Sequence, residues 1–201
     1  MTAVRNPRGP YANAPFQREK ILRGALEYFG QKGYWGSSMR DIADHVGMSQ
    51  ASMRYYFGTK IALLTAVLEE RDVVSGEAAG RAELESGSHL DGLVQTVMDN
   101  ANQPNIVRLF TILSAEATSQ DHPAHEFFRA RYERASADVA RRLRSAADDG
   151  ETRSDINVDD AARVVLATMS GLQLPWLLDP AIDMATLFRE QMTHYLGRPN
   201  G

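Results

Sequence analysis

The 201-residue chain contains no cysteine. A disulfide framework, a thiolate zinc site and a cysteine nucleophile are therefore excluded. Nor does the chain show a strict apolar/polar alternation of the kind that marks a half-buried strand. Internal repeats and low-complexity tracts are absent, and no uninterrupted apolar run reaches the length of a membrane span. Glycine-rich phosphate loops, nucleophile elbows and paired metal-ligand motifs are missing too, so neither an enzyme nor a cofactor is expected. His122 and His125 stand three apart before Glu126. Two histidines without further ligands read as structural or exposed groups, and no metal is expected.

Forty-three per cent of the residues are hydrophobic, enough for a core, and 24% are charged, as in ordinary soluble proteins. The net charge of −4 conceals a division. Residues 1–60 hold nine Lys/Arg and four Asp/Glu, leaving +5 there against −9 in the remainder. A basic N-terminal piece on an acidic body points to a polyanionic partner at one end only. Residues 1–15 carry Arg5 and Arg8 among Pro, Gly and Asn, without the apolar stretch of a secretory leader. They read as a flexible arm, either an idle tail or one that touches DNA.

The periodicity predicts an all-α fold of about nine helices. The first spans 16–33, with Ile21, Leu22, Ala25, Leu26 and Phe29 on one face and Gly33 as its stop. Ser37 or Ser38 caps a second, short helix through Ile42, Ala43 and Val46 to Gly47. Ser49 caps a third, running to about Phe57 before Gly58. Further helices are expected from Lys60 to about Gly80, with a loop at 85–89, then over 90–103 and 105–119. Pro123 is expected in the first turn of a long helix ending near Gly150. Residues 158–178 and 184–196 complete the set.

Two short helices joined at Gly47-Met48-Ser49 have the layout of a helix-turn-helix, whose second helix enters the major groove. That second helix displays Gln50, Ala51, Ser52, Arg54, Tyr55 and Tyr56. Gln pairs with adenine, Arg with guanine, and Ala touches a thymine methyl. Ser38, Ser52, Tyr55 and Lys60 can donate to phosphates, and Arg40 lies near enough for base or phosphate. Packed aromatics in a bundle that binds nothing are the alternative reading of Tyr55 and Tyr56.

From these residues the chain resembles the TetR family of regulators. The matching pattern is Ile21-Leu-x-x-Ala25-Leu-x-x-Phe29-x-x-x-Gly33-Tyr34, then Ser38-Met-Arg40-Asp-Ile42-Ala43-x-x-Val46-Gly47-Met48-Ser49, then Tyr55-Tyr56-Phe57-x-x-Lys60-x-x-Leu63. The resemblance implies a cytoplasmic bacterial homodimer on a near-palindromic double-stranded DNA operator, usually a repressor released by a small-molecule effector. By position, Arg40, Gln50, Ala51, Ser52, Arg54 and Tyr56 would face bases or nearby backbone, and Ser38, Tyr55 and Lys60 would hold phosphates. Ala51 stands where the family often has Gly, and Arg54 where it often has Tyr.

Residues 16–62 then form the DNA-binding domain and 63–201 a ligand-binding and dimerisation domain. Helices 158–178 and 184–196 carry wide apolar faces, including Val164, Val165, Ala167, Leu172, Leu187 and Met192. Such faces suit a four-helix interface between two copies, or closure of the monomer core. An effector pocket among the helices would draw on Phe110, Leu113, Glu116, Phe128, Tyr132, Met169, Gln173 and Trp176. Glu116, among apolar neighbours, requires a partner.

Overall fold

The computed structural model describes residues 14–197. Among these residues there are nine α-helices and no strand: α1 (Ala14–Lys32), α2 (Met39–Val46), α3 (Gln50–Phe57), α4 (Lys60–Ser86), α5 (His89–Ala101), α6 (Pro104–Glu116), α7 (His125–Asp148), α8 (Val158–Leu178) and α9 (Met184–Leu196). The expected all-α fold is what forms. Arg5 and Arg8 of the expected arm lie outside the described residues, and α1 already begins at Ala14.

The chain divides into two compact units between Leu68 and Glu69, six residues beyond the expected boundary at 62. The first turns of α4 account for the difference. Leu63, Leu64 and Leu68 are fully buried and Val67 nearly so, with the core of the first unit including Ile21, Phe29, Ile42 and Met53. In this unit α2 packs on both α1 and α3. Gly24 of α1 lies against Val46 of α2, where an added Cβ would meet Val46 Cγ1 at 2.3 Å.

In the second unit α8 packs most heavily on α7, and α5 on α9. Their shared core includes Leu93, Val97, Val107, Leu143, Val165, Trp176, Phe188 and Leu196. Each such side chain, withdrawn from water, contributes about 1.5–3 kcal/mol. Asn157 caps α8 by accepting the Asp159 and Asp160 N–H groups, and Asp183 caps α9 by accepting that of Thr186.

Several boundaries differ from expectation; α6, for instance, ends at Glu116 rather than 119. α4 runs through Gly80 to Ser86, removing most of the expected 85–89 loop. Ala78, Ala79, Arg81 and Ala82 favour helix strongly enough to carry one interior glycine. The break falls at Gly87, in the left-handed region with φ 69°. Pro123 precedes α7, which begins at His125 behind Ala124.

The N-terminus of α5 is stapled by a polar cluster that the sequence did not suggest. Glu151 accepts the Ser88 hydroxyl at 2.8 Å and the His89 N–H at 3.2 Å. The His89 ring engages Glu83 through Nδ1 and Asp149 through Nε2, the latter at 3.0 Å. Partial burial opposes the imidazolium, but bonds to Asp149 and Glu83 outweigh it and raise the His89 pKa above its ordinary value. The stabilisation is therefore complete below the unfolded value of about 6.5 and disappears as pH rises through the higher folded value. His89→Gln is expected to lower Tm by roughly 2–4 °C at pH 5.5 and to have little effect at pH 9. A uniform loss across that range in calorimetry would show that the charge contributes nothing.

Candidate nucleic-acid interface and effector pocket

Three local devices fix the helix-turn-helix. Ser38, in extended conformation, accepts the Asp41 N–H at 3.1 Å and returns its own proton to Asp41 Oδ2 at 2.6 Å. α2 ends at Gly47 with φ 68°, which a side chain would strain. The turn closes through Met48 N–H to Ala43 O at 2.9 Å. Ser49 then accepts the Ser52 N–H at 3.1 Å to start α3, and the two hydroxyls lie 2.9 Å apart.

Met53 anchors α3 with no exposed surface. On the opposite side Gln50, Ala51, Arg54 and Tyr55 are exposed, while Ser52 and Tyr56 are half-buried. Spacings of one, four and five residues put the first set on one helical face. Tyr55 is 76% exposed, so it is no packed aromatic; its ring meets Tyr56 edge-on at 5.4 Å. Arg54 makes no ion pair among the described residues, and Arg40 only a loose one, 4.0 Å from Asp44. Both guanidinium groups are available to a polyanion.

Two of the residues assigned to phosphates also have local duties. The Ser38 hydroxyl belongs to its cap. Lys60 Nζ donates to Tyr34 O at 2.9 Å and Ser37 O at 2.7 Å, and stands 3.9 Å from the Tyr34 ring centroid. It thus ties the α1–α2 connection to the start of α4. Sequence reasoning also passed over Lys20, exposed on α1 and without an ion pair among the described residues. Its signal was present: Arg23, three residues on, is neutralised by Glu19 at 2.6 Å, whereas Lys20 has no acid at that spacing.

The second unit contains a cavity of about 690 Å³ between α4, α5, α6, α7 and α8. Phe110, Phe128, Tyr132, Met169 and Gln173, all expected, line it. Leu113, Glu116 and Trp176 do not. Leu113 and Trp176 face the packed interior. Glu116 Oε2 faces buried His122 Nε2 at 3.7 Å, within ion-pair reach but longer than a hydrogen bond. His122 Nδ1 accepts the Ala124 N–H at 3.1 Å, which leaves the ring proton on Nε2, facing that carboxylate. His125 Nδ1 sits 2.8 Å from Ala117 O. Both histidines therefore brace the α6–α7 connection, as a structural reading anticipates.

The arginine-rich face of α7 reads from the sequence as solvent-facing, yet Arg131, Arg134 and Arg142 line the cavity, joined by Arg71 of α4. Arg131 grips Asp72 with two bonds of 2.7 and 2.9 Å. Arg71 bonds Asn100 Oδ1 and lies 3.6 Å from the same Asp72. Their guanidinium carbons stand 5.1 Å (Arg71) and 4.5 Å (Arg131) from the Phe110 ring centroid.

Comparison with known proteins agrees in both units. Residues 21–67 match the model for bacterial regulatory proteins of the tetR family, and residues 87–198 match the C-terminal model of BetI-type transcriptional repressors. The HTH-type transcriptional regulator UidR of Escherichia coli K12 is 23% identical over 155 residues, 77% of this chain and 79% of UidR. Salmonella enterica GusR superposes with a TM-score of 0.73 at 24% identity, covering 96% of this chain and all of that one. A transcriptional regulator from Saccharomonospora viridis, solved with choline, gives 0.74 at 20% identity over 92% of this chain and 100% of its own. With matched models spanning both the helix-turn-helix and most of the second unit, the chain belongs to the TetR family of DNA-binding transcriptional regulators.

Proposed function

We propose that this protein is a repressor that binds a near-palindromic operator as a homodimer and is released by a small-molecule effector. The carrying observation is α3: a helix capped at its start by Ser49, anchored by buried Met53, with Gln50, Ala51, Arg54 and Tyr55 turned outward. Lys20, Arg40 and Arg54 add positive charge on the first unit. The match to a repressor C-terminal model supports the sign of regulation.

Pairing through α8 and α9 is supported by apolar surface that the monomer leaves open. Val165 and Met192 belong to the monomer core, but Val164, Leu174, Leu178 and Leu187 are exposed. α8 is long and apolar enough to cross a bilayer by composition, with a mean hydropathy of 1.2 over an 18-residue window. Ser170 and Gln173 interrupt its apolar residues, so no uninterrupted apolar run of that length is present. A facing copy of α8 explains the exposed stripe without a bilayer, in keeping with a cytoplasmic regulator.

Occupancy of the cavity would act by shifting populations, favouring a spacing of the two recognition helices that misses successive major grooves. α4, which supplies Arg71 and Asp72 to the cavity wall and begins at Lys60, is the proposed lever.

The test is an electrophoretic mobility shift with DNA flanking the gene itself. A site of inverted symmetry bound at about 10 nM or tighter is expected. Arg54→Ala should weaken that site about 10- to 100-fold and relax preference at one base pair of each half-site. Failure to prefer any duplex over heparin at low salt would overturn the reading.

A further inference from the structure

We propose that the effector is an organic anion, a carboxylate on an apolar body, received in the cavity by the Arg71 guanidinium. This deepens the regulator reading and rests on it for the word effector.

The cavity wall carries more positive than negative charge. Four arginines (71, 131, 134 and 142) but only two carboxylates, Asp72 and Asp138, line the cavity, and behind the wall Glu83 pairs with Arg142. Both carboxylates are spoken for. Asp72 gives one oxygen to Arg131 Nε and the other to Arg131 Nη2. Asp138 accepts Arg142 Nε at 3.2 Å and also pairs with Arg141. No lining carboxylate is left over for a cationic guest.

Arg134 has no ion pair among the described residues but is exposed to water; Arg71 is the buried arginine left short. Its side chain is only 14% exposed, yet its nearest carboxylate oxygen, 3.6 Å away, is already bonded to Arg131. One neutral amide oxygen, from buried Asn100, accepts from a group that carries five donors. Burial, with Arg131 adding to it, pulls the Arg71 pKa below its ordinary value despite Asp72. A buried cation with a shared counter-ion is an expensive arrangement unless something else completes it. A carboxylate presenting two oxygens to the guanidinium edge is its geometric complement.

The rest of the wall defines the body of the guest. Phe110 is held by both guanidinium groups, and Phe128 meets it edge-on at 6.1 Å. Leu93, Val139, Leu166 and Met169 continue the apolar surface. Thr96 and Thr111 turn their hydroxyl protons back to their own helices, to Gly92 O and Val107 O, so at the cavity they can only accept. The volume suits a drug-sized molecule.

Calorimetric titration of the full-length protein with two isosteric series tests this: 4-phenylbutyrate, its amide and 4-phenylbutylammonium, and decanoate, its amide and decylammonium. At least one carboxylate is expected to bind tenfold or more tighter than both its amide and its amine. Arg71→Gln should abolish that margin and leave the amide within about threefold of its wild-type affinity, since only a charge-assisted contact is removed. Should Arg71→Gln fail to fold, Arg71→Lys and the wild-type ranking decide the matter.

Equal affinities within each series, preference for the amine, a carboxylate margin that survives Arg71→Gln, or no carboxylate binding at about 1 mM overturns the proposal. Mobility shifts on the same preparations separate the two readings. Operator binding without a carboxylate margin sinks only the ligand class. A margin that depends on Arg71 in a protein that binds no DNA leaves the anion site standing and removes the regulator.

Discussion

Replacing Gly24 by leucine is expected to destabilise the first unit and abolish operator binding. Even a Cβ at this position would stand 2.3 Å from Val46 Cγ1 and 3.5 Å from Val46 Cβ. Val46 is 6% exposed, and its branched side chain is stiff about χ1, so it has little room to retreat. Overpacking of this kind costs about 3 kcal/mol at the upper end of its usual range. Removing a glycine from a helix interior returns roughly 0.8–1 kcal/mol. The net loss of about 2 kcal/mol is a large share of what a unit of roughly 50 residues possesses. Displacing α2 would also carry α3 out of register with DNA. The reporter is Trp35 fluorescence in a Trp176→Phe background, because each unit holds one of the two tryptophans. Trimming the other side should relieve the clash. Gly24→Ala with Val46→Ala is expected to be more stable than the sum of the single changes by about 0.5–3 kcal/mol. Strict additivity would mean that the two positions do not touch.

Lys60→Met should produce the second large effect, and its character distinguishes two roles. The ammonium is bonded to two backbone carbonyls, Tyr34 O and Ser37 O. Losing hydrogen bonds made by a charged donor costs about 1.5–3 kcal/mol, felt in the stability of the first unit. Operator affinity should fall because the α1–α2 connection loosens, while the slope of log K against log salt stays unchanged. A lysine on a phosphate behaves otherwise: its loss lowers the slope by about 0.9. A drop of that size, with the Trp35 melting curve intact, would return Lys60 to the phosphate contacts implied by the family resemblance.

Much of the fold was legible because its signals are local. Ser49 before Gln50, Asn157 before Val158 and Asp183 before Met184 announce helix starts through side-chain caps, and α8 and α9 fall on their expected bounds. The outward residues of α3 were readable for the same reason, since helical phase relative to Met53 decides them. Of the expected cavity residues, Phe110, Phe128, Met169 and Gln173 are large groups withdrawn from solvent, while Tyr132 lines the cavity at its exposed rim.

What escaped depends on distance along the chain. Asp72 and Arg131 are 59 residues apart, and nothing in either neighbourhood states that they meet. The Glu83–His89–Asp149–Glu151 cluster likewise joins three segments. Nothing in the sequence around Gly24 states that Val46 lies against it. Leu113 and Trp176 were indistinguishable in type from cavity residues, and only helix rotation turns them into the packed interior.

The uncovered strip from Val164 to Leu178 has a bearing on how such measurements are compared. If a twin chain hides it, folding is coupled to mass action, and the melting midpoint climbs with the amount of protein in the cell. Calorimetry works at micromolar levels, whereas mobility shifts are run orders of magnitude more dilute. A substitution far from this strip could then look harmless in one assay and crippling in the other, merely because dilution had already begun to part the pair.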